Sequence, residues 1–364
     1  PRECGVNRLT DQQGFCRVGL EPKVASWNVH PWEEPPISGS HGSGTIFFSG
    51  CTGRCLFCQN YPISQLGVGN VVPVERLAEM MLELQAKCCH NVNLVTPTHF
   101  VPQIRAALSQ AIEGGLRLPL VYNSSGYETV DALRLLDGVV DIWLPDAKYA
   151  DDDTARRLSG FPYYVEHNRA ALQEMYRQVG HELVLDEGGL ARRGMIVRHL
   201  VLPGGLAGTG EVLNWMATAL SPRVHVSLMD QYFPAHRAVG HVVLGRRITI
   251  EEYEEALRAF EEAGLVNGWR QEHEECLSGV AVQTSKVLAE GSGWLRPEHE
   301  VKVPRKHIFL KPRRFFYPRR EMDNDAPRFT QHPLQIGQRR RPGVHRRERG
   351  ASDPALLRGA RKGR

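Results

Sequence analysis

Three cysteines within eight residues constrain this chain more than any other feature. They stand in Gly50-Cys51-Thr52-Gly53-Arg54-Cys55-Leu56-Phe57-Cys58-Gln59-Asn60, spaced C-x3-C-x2-C. The motif follows directly on Thr45-Ile46-Phe47-Phe48, an apolar, β-branched and aromatic run that reads as a buried strand leaving through Ser49-Gly50. Three thiolates this close in sequence can wrap one metal centre, and thiolates favour soft sites such as zinc or iron–sulfur. Cysteine runs of this kind hold cubane clusters. A structural zinc knuckle takes four protein ligands, and nothing beside the motif supplies a fourth. A cubane on three cysteines keeps one iron open.

With Phe57 ahead of the last cysteine and a Gly-ended strand ahead of the first, the motif resembles the radical S-adenosylmethionine (radical SAM) superfamily. The cysteine word, together with Asn123-Ser124-Ser125-Gly126-Tyr127-Glu128 and Arg198-His199-Leu200-Val201-Leu202-Pro203-Gly204, resembles a branch related to pyruvate formate-lyase-activating enzyme, over roughly residues 1–270. The resemblance implies a [4Fe-4S] cluster on Cys51, Cys55 and Cys58, with S-adenosylmethionine on the open iron through its amino and carboxylate groups. It implies a one-electron donor such as flavodoxin or ferredoxin, and cleavage to methionine and a 5′-deoxyadenosyl radical that takes hydrogen from the substrate. By the same resemblance the substrate is a glycine of a partner glycyl radical enzyme. The runner-up is a different protein or a small molecule. A non-catalytic iron–sulfur or zinc module with a nucleic-acid-binding tail is the competing reading outside enzymes.

Beyond the cysteines the chain alternates strand-like and helix-like segments. Strands are expected at 45–48, 93–96, 118–122, 140–144, 196–202 and 225–229, with helices at 73–88, 101–113, 129–136, 151–158, 164–179, 210–220 and 251–263. Six strands with intervening helices are parallel, right-handed βα construction. They match an open, TIM-like partial (β/α)6 barrel of the radical SAM type, in which ligands gather at the C-terminal strand ends. Domain bounds follow: a Cys-containing extension at 1–40, the barrel at 41–270, a connection at 271–300 and a tail at 301–364. Proline and glycine in 1–40 argue for loops with little regular structure. Cys4 and Cys16, in that extension, are either thiols or part of a second metal site.

The strand ends supply the candidate ligand grip. Asp146 and Lys148, two apart in extended chain, point the same way. A neighbouring carboxylate and ammonium suit a cofactor with a ribose, an amino group and a carboxylate, and a matching Asp-x-Lys lysine contacts S-adenosylmethionine in the resembling enzymes. The alternative is a local ion pair. Asn123, Ser124 and Ser125 hold a ribose or carboxylate, or else serve turn chemistry. Arg198, inside a strand, must be paired, either with the cofactor carboxylate or with Asp/Glu. Thr96-Pro97-Thr98-His99 stands where the superfamily commonly has Gly-Gly-Glu; His99 is expected to cap a helix or touch ligand. Gln231 and Tyr232 are substrate-side candidates. Gly204–Gly210 lacks the Lys-Ser/Thr of a phosphate loop and reads as a strand-to-helix connection.

Eight cysteines in 364 residues make no disulfide framework, and three sit in a motif that needs reduced thiolates, so a reducing cytoplasm is expected. The first residues hold no signal-peptide segment and no apolar run is long enough to span a membrane. Residues 301–364 carry 19 Lys/Arg against 5 Asp/Glu, a surplus of 14, so the net +4 of the whole chain leaves −10 on residues 1–300. The Arg- and Pro-dense tail cannot bury enough apolar area to offset its ordering entropy. It is read as a disordered or accessory extension rather than a nucleic-acid binder, and no membrane partner is expected.

Overall fold

A computed structural model of the chain describes residues 1–271 and 285–287. The connection and the basic tail expected at 271–300 and 301–364 lie outside the described residues, Gln271 and Ser285–Val287 excepted. In chain order the strands are β1 (Lys23–His30), β2 (Ser43–Phe48), β3 (Asn70–Val71), β4 (Val92–Val95), β5 (Leu120–Ser124) and β6 (Ile142–Pro145). They continue with β7 (Val184–Leu185), β8 (Ala191–Leu200), β9 (His225–Met229), β10 (Asn267–Gln271) and β11 (Ser285–Val287). The helices are α1 (Pro35–Ser38), α2 (Tyr61–Ser64), α3 (Val74–Ala86), α4 (Val101–Glu113) and α5 (Val130–Arg134). After them come α6 (Asp152–Ser159), α7 (Tyr164–Val179), α8 (Thr209–Ala219) and α9 (Ile250–Glu262).

The strands share one sheet ordered β11-β10-β9-β8-β6-β5-β4-β2-β1-β3, with β7 attached to β8. From β2 to β10 every neighbour is parallel, the ladder expected when a helix carries the chain back between strands. The ends of this order do not meet among the described residues, so the barrel is partial and open. The six expected strands are all present, and β10 adds a seventh to the parallel set.

The extension is not purely loop. β1 is an eight-residue strand paired antiparallel with β2, in register from His30↔Ser43 to Ser26↔Phe47 and shifted by a bulge before Val24↔Phe48. Its polar and half-exposed positions hide the alternation that marks a strand, and its partner lies across a proline-rich turn. Pairing with β2 therefore decides its structure, not local propensity.

Between helices and sheet lies an apolar layer in which Leu77, Met80, Met81 and Leu84 of α3 are fully or almost fully buried, as their 3.6-residue spacing requires. Each such side chain contributes roughly 1.5–3 kcal/mol. Residues on the concave side form a smaller cluster, in which Ile37 of α1 meets Val121, Ile142, Leu144 and Ile196. Asn91 fixes this insertion: its Nδ2 donates to the Ile37 carbonyl at 2.7 Å and its Oδ1 accepts from Ser43 Oγ at 2.6 Å. The segment between β1 and β2 thus plugs the barrel from within and carries Glu33 and Glu34 inside it.

Candidate active site

At the C-terminal ends of the parallel strands opens a cavity of about 370 Å³. Cys51, Cys55 and Cys58 line it, and so do Asn123, Ser125, Asp146, Lys148 and Arg198. The fold therefore gathers the three cysteines and these five strand-end residues into one space.

The cysteine loop is held by close backbone approach. Gly50 has φ +81°, and a Cβ there would lie 2.4 Å from the Cys16 carbonyl oxygen, so only glycine fits this strand exit. A Cβ on Gly53 would meet the Phe161 ring at 2.6 Å. Arg54 and Leu56 donate backbone N–H bonds, each 2.8 Å, to the carbonyls of Ser159 and Leu158 at the end of α6. Burial pushes the Cys51 thiol up to about 12 and repulsion from Cys55 adds to it, while the Gly53 N–H, 3.2 Å from the sulfur, opposes both. Cys58 is pushed up to about 11 by burial and then by Cys55, opposed by Ser64 at 3.2 Å. A cationic group is what would make thiolates of these thiols.

Among the described residues, no three His, Cys, Asp or Glu side chains gather closely enough to hold a single metal ion. A zinc ion draws its sulfurs to about 2.3 Å. A cubane takes each thiolate on a different corner iron and suits a wider spacing.

Lys148 Nζ donates to Asp146 Oδ2 at 2.5 Å, both side chains about one-fifth exposed. Burial works against the ammonium, but the Asp146 carboxylate and then Cys55 outweigh it and raise Lys148 above its ordinary range. The backbone beneath this pair is tightly held. Asn168 Nδ2 donates to the Asp146 and Gly126 carbonyls, both at 2.9 Å, and Tyr164 Oη accepts from Lys148 N and donates to the Ser125 carbonyl, both at 3.0 Å. His199 Nδ1 donates to the Ala147 carbonyl at 2.6 Å while Nε2 accepts from Thr209 at 3.0 Å. The strand ends that present Ser125, Asp146 and Lys148 are thereby cross-tied, which is how a binding group is kept in place.

Arg198 takes the Asp/Glu alternative. Its Nε donates to Glu34 Oε1 at 2.8 Å, and its Nη2 to Glu34 Oε2 at 2.7 Å and to Glu33. Both glutamates come from the plug segment and line the cavity with Arg198. Neither stood out in the sequence, since nothing near residue 33 signals a partner 165 positions away.

Other expectations are corrected. His99 neither caps a helix nor lines the cavity: its Nε2 donates to the Ser49 carbonyl at 2.8 Å, immediately before the cysteine loop. Burial pushes this imidazole down to about 4, so it is neutral there. Gln231 lines the cavity, but Tyr232 is buried elsewhere and donates to the Leu244 carbonyl at 2.7 Å, past the end of β9 where a tight turn, Tyr232 N–H to the Asp230 carbonyl at 2.8 Å, redirects the chain. Thr96 lines the cavity with φ +59°, an uncommon left-handed conformation for a β-branched residue. Thr98 instead donates to Glu128 Oε1 at 2.7 Å. Glu128 is a third residue that the sequence left unassigned: burial pushes its carboxyl up to about 7, against hydrogen bonds from Thr98 and Ser124. In the glycine loop the Gly204 N–H is taken by Glu252 at 2.7 Å, consistent with a connection rather than a phosphate cradle. Cys4 and Cys16 are held separately, by Phe15 N at 3.3 Å and Arg8 Nη2 at 3.0 Å.

Comparison with known proteins places this site in a class. The family model of the radical SAM superfamily matches residues 45–187, which include the cysteine loop and the Asp146–Lys148 pair. A protein of Methanocaldococcus jannaschii, MJ0674, is 34% identical over 271 residues, covering 72% of this chain and 73% of its own. The chain belongs to the radical SAM superfamily, and it is an enzyme of that class. Members generally use a [4Fe-4S] cluster and S-adenosylmethionine and need an electron donor. Among solved structures, the chain is similar to the FeFe-hydrogenase maturase HydG from Carboxydothermus hydrogenoformans, with TM-score 0.42, 10% identity, and coverage of 61% of this chain and 51% of that one. It is also similar to methylornithine synthase (PylB), with TM-score 0.41, 14% identity, and coverage of 61% and 63%. The chain thus spans half to two-thirds of those structures, and likeness at these scores carries no argument about its chemistry. Among the described residues, no helix is long and apolar enough to cross a membrane.

Proposed function

We propose that Cys51, Cys55 and Cys58 hold a [4Fe-4S] cluster with one open iron, and that S-adenosylmethionine lies between it and the strand ends bearing Asn123, Ser125, Asp146, Lys148 and Arg198. The observation that carries this reading is the single cavity shared by all eight side chains. When bound, the reduced cluster and S-adenosylmethionine supply one-electron cleavage of the sulfonium and a radical able to take hydrogen from a substrate. The protein's part is grip, alignment and exclusion of water.

An α-amino acid zwitterion matches the Asp146–Lys148 pair in charge. Lys148 spends one of its three N–H donors on Asp146 and offers another to a carboxylate, while Asp146 accepts from an ammonium. Asn123 and Ser125 add short hydrogen-bonding groups at the neighbouring strand end. Arg198, fixed by Glu33 and Glu34, forms a rigid wall. Trp32, Phe47, Gln231 and Trp269, which also line the cavity, are left for the substrate. The sequence words shared with activating enzymes support a partner glycine there, with another protein or a small molecule as the alternative.

The test is anaerobic reconstitution, quantification of iron and sulfide, and assay of 5′-deoxyadenosine with dithionite. Cys55→Ala is expected to lose cluster and product together. Undiminished product in that variant, or a reconstituted protein that retains zinc and cleaves nothing, refutes the reading. Adding a candidate glycyl radical enzyme then tests the substrate: a glycyl radical signal by electron paramagnetic resonance is expected. Steady 5′-deoxyadenosine without that signal moves the substrate to another class.

A further inference from the structure

The electron for this chemistry must enter from outside, and the cavity side of the cysteine loop is taken by ligand and substrate. The opposite side of the loop carries a group of positive charge. Arg17 Nη1 donates to the Gln65 carbonyl at 3.4 Å. Arg237 Nη2 reaches Gln65 Oε1 at 3.5 Å and the Arg54 carbonyl at 3.1 Å. Gln65 in turn donates from Nε2 to the Cys55 carbonyl at 2.9 Å. Two arginines, Arg17 and Arg237, therefore meet at one glutamine whose side chain is bonded to a cysteine of the motif, and the Arg54 guanidinium, held by the Phe15 carbonyl, is near enough to feel the charge of both. None of the four lines the cavity.

We propose that Arg17, Arg54 and Arg237 form the docking surface for an acidic one-electron carrier of the flavodoxin or ferredoxin type, with Gln65 joining that surface to Cys55. This rests on the cluster reading given above. Arg17 and Arg237 are exposed and Arg54 partly so. Among the described residues no carboxylate pairs with any of the three, whereas Arg76, Arg177 and Arg246 elsewhere on the surface all have carboxylate partners. The patch is local, because residues 1–300 carry a net negative charge. Beside it two apolar side chains stand out, Leu66 at 67% exposure and Val239 at 68%. A few exposed apolar contacts within unpaired positive charge suit a small, transient electron-transfer interface, steered by charge and quickly released.

A nucleic acid is the other polyanion such a surface could meet. Of the aromatic rings near it, Tyr61 and His236 are stacked on each other at 4.5 Å and Phe15 is covered by the Arg2 and Arg54 guanidinium groups, so they do not stand open as a platform for bases. In the transfer itself the carrier is oxidised by one electron and the cluster is reduced by one. No bond forms or breaks at the interface.

The test uses the full-length reconstituted chain, with flavodoxin and a plant-type ferredoxin as probes, and measures association by calorimetry at low and near-physiological salt. Binding that weakens with salt is expected. In the Arg17→Glu/Arg237→Glu variant it should fall at least about tenfold, with a flattened salt dependence, while dithionite-driven 5′-deoxyadenosine formation is unchanged. Arg17→Lys/Arg237→Lys, which keeps the charge, should retain most of the affinity. Unchanged binding in the charge-reversed variant, equal loss in the lysine variant, or binding of neither carrier overturns the assignment. So does arginine-dependent binding of a single-stranded RNA in their place. Failure of the wild-type chain to load iron or to cleave S-adenosylmethionine with dithionite is a separate result, and it strikes the cluster reading.

Discussion

Glu34→Gln probes the device that closes the cavity floor. The Glu34 carboxylate is 6% exposed and accepts from Arg198 at 2.8 and 2.7 Å, while the guanidinium is 14% exposed and also bonded to Glu33. Removing the sole partner of a buried charge costs about 3–5 kcal/mol. Here Glu33 remains, and glutamine keeps one accepting oxygen. The loss is then that of one charge-assisted bond, about 2 kcal/mol, or a fall in melting temperature of about 4–8 °C. Replacing both glutamates removes that protection and should approach the full penalty, about 3–5 kcal/mol.

The sign with pH follows from the direction of the shift. Burial alone would raise Glu34, but Arg198 outweighs it and holds the carboxyl below its ordinary range. The stabilisation is therefore complete above the unfolded value of about 4.3 and is lost as pH falls through the lower folded value. The difference between wild type and Glu34→Gln should be constant from neutral pH to about pH 5 and narrow below that. Urea unfolding followed by circular dichroism across this range is the assay. An unchanged melting temperature at neutral pH, or a difference that survives acidification, refutes the reasoning.

Two further outcomes are expected. Asp146→Asn should weaken equilibrium binding of S-adenosylmethionine by about tenfold or more, the worth of one charge-assisted bond, with cysteine-bound iron unchanged; an unaltered dissociation constant removes Asp146 from the grip. His99 and His199 are each pushed down to about 4 by burial, so they are neutral in the fold, while the unfolded chain takes up protons near 6.5. Stability is full above that value and declines as pH falls toward 4, by up to about 3 kcal/mol for each histidine. Urea midpoints that stay flat over that interval in wild type, or that fall as steeply in a His99→Gln/His199→Gln variant, rule this out.

Much of the barrel was legible because each βα unit advertises itself locally. Met80, Met81 and Leu84 recur at helical spacing on α3, and β9 and α7 fall on the residues their patterns mark. β1 was not, because its pattern is weak and its partner decides it. Nor was β10, whose Asn267-Gly268-Trp269 lacks an apolar run and is a strand through parallel pairing with β9. Tyr232 differs for a simpler reason: it follows Gln231 in a tight turn past the end of β9, and only the fold shows which of the two faces inward.

By itself the sequence determined that three thiols share one loop, since Cys51, Cys55 and Cys58 are held together by the covalent chain whatever the rest does. The Asp146–Lys148 pair is local in the same sense. Tertiary structure alone decided how Arg198 is neutralised, because its partners are 164 and 165 residues away and a charge buried in the barrel takes whichever counter-charge the fold delivers. It also decided that Arg17 and Arg237 meet at Gln65 behind Cys55, with Arg54 close by. Spacing along a chain specifies contacts only over a few residues, and beyond that packing specifies them.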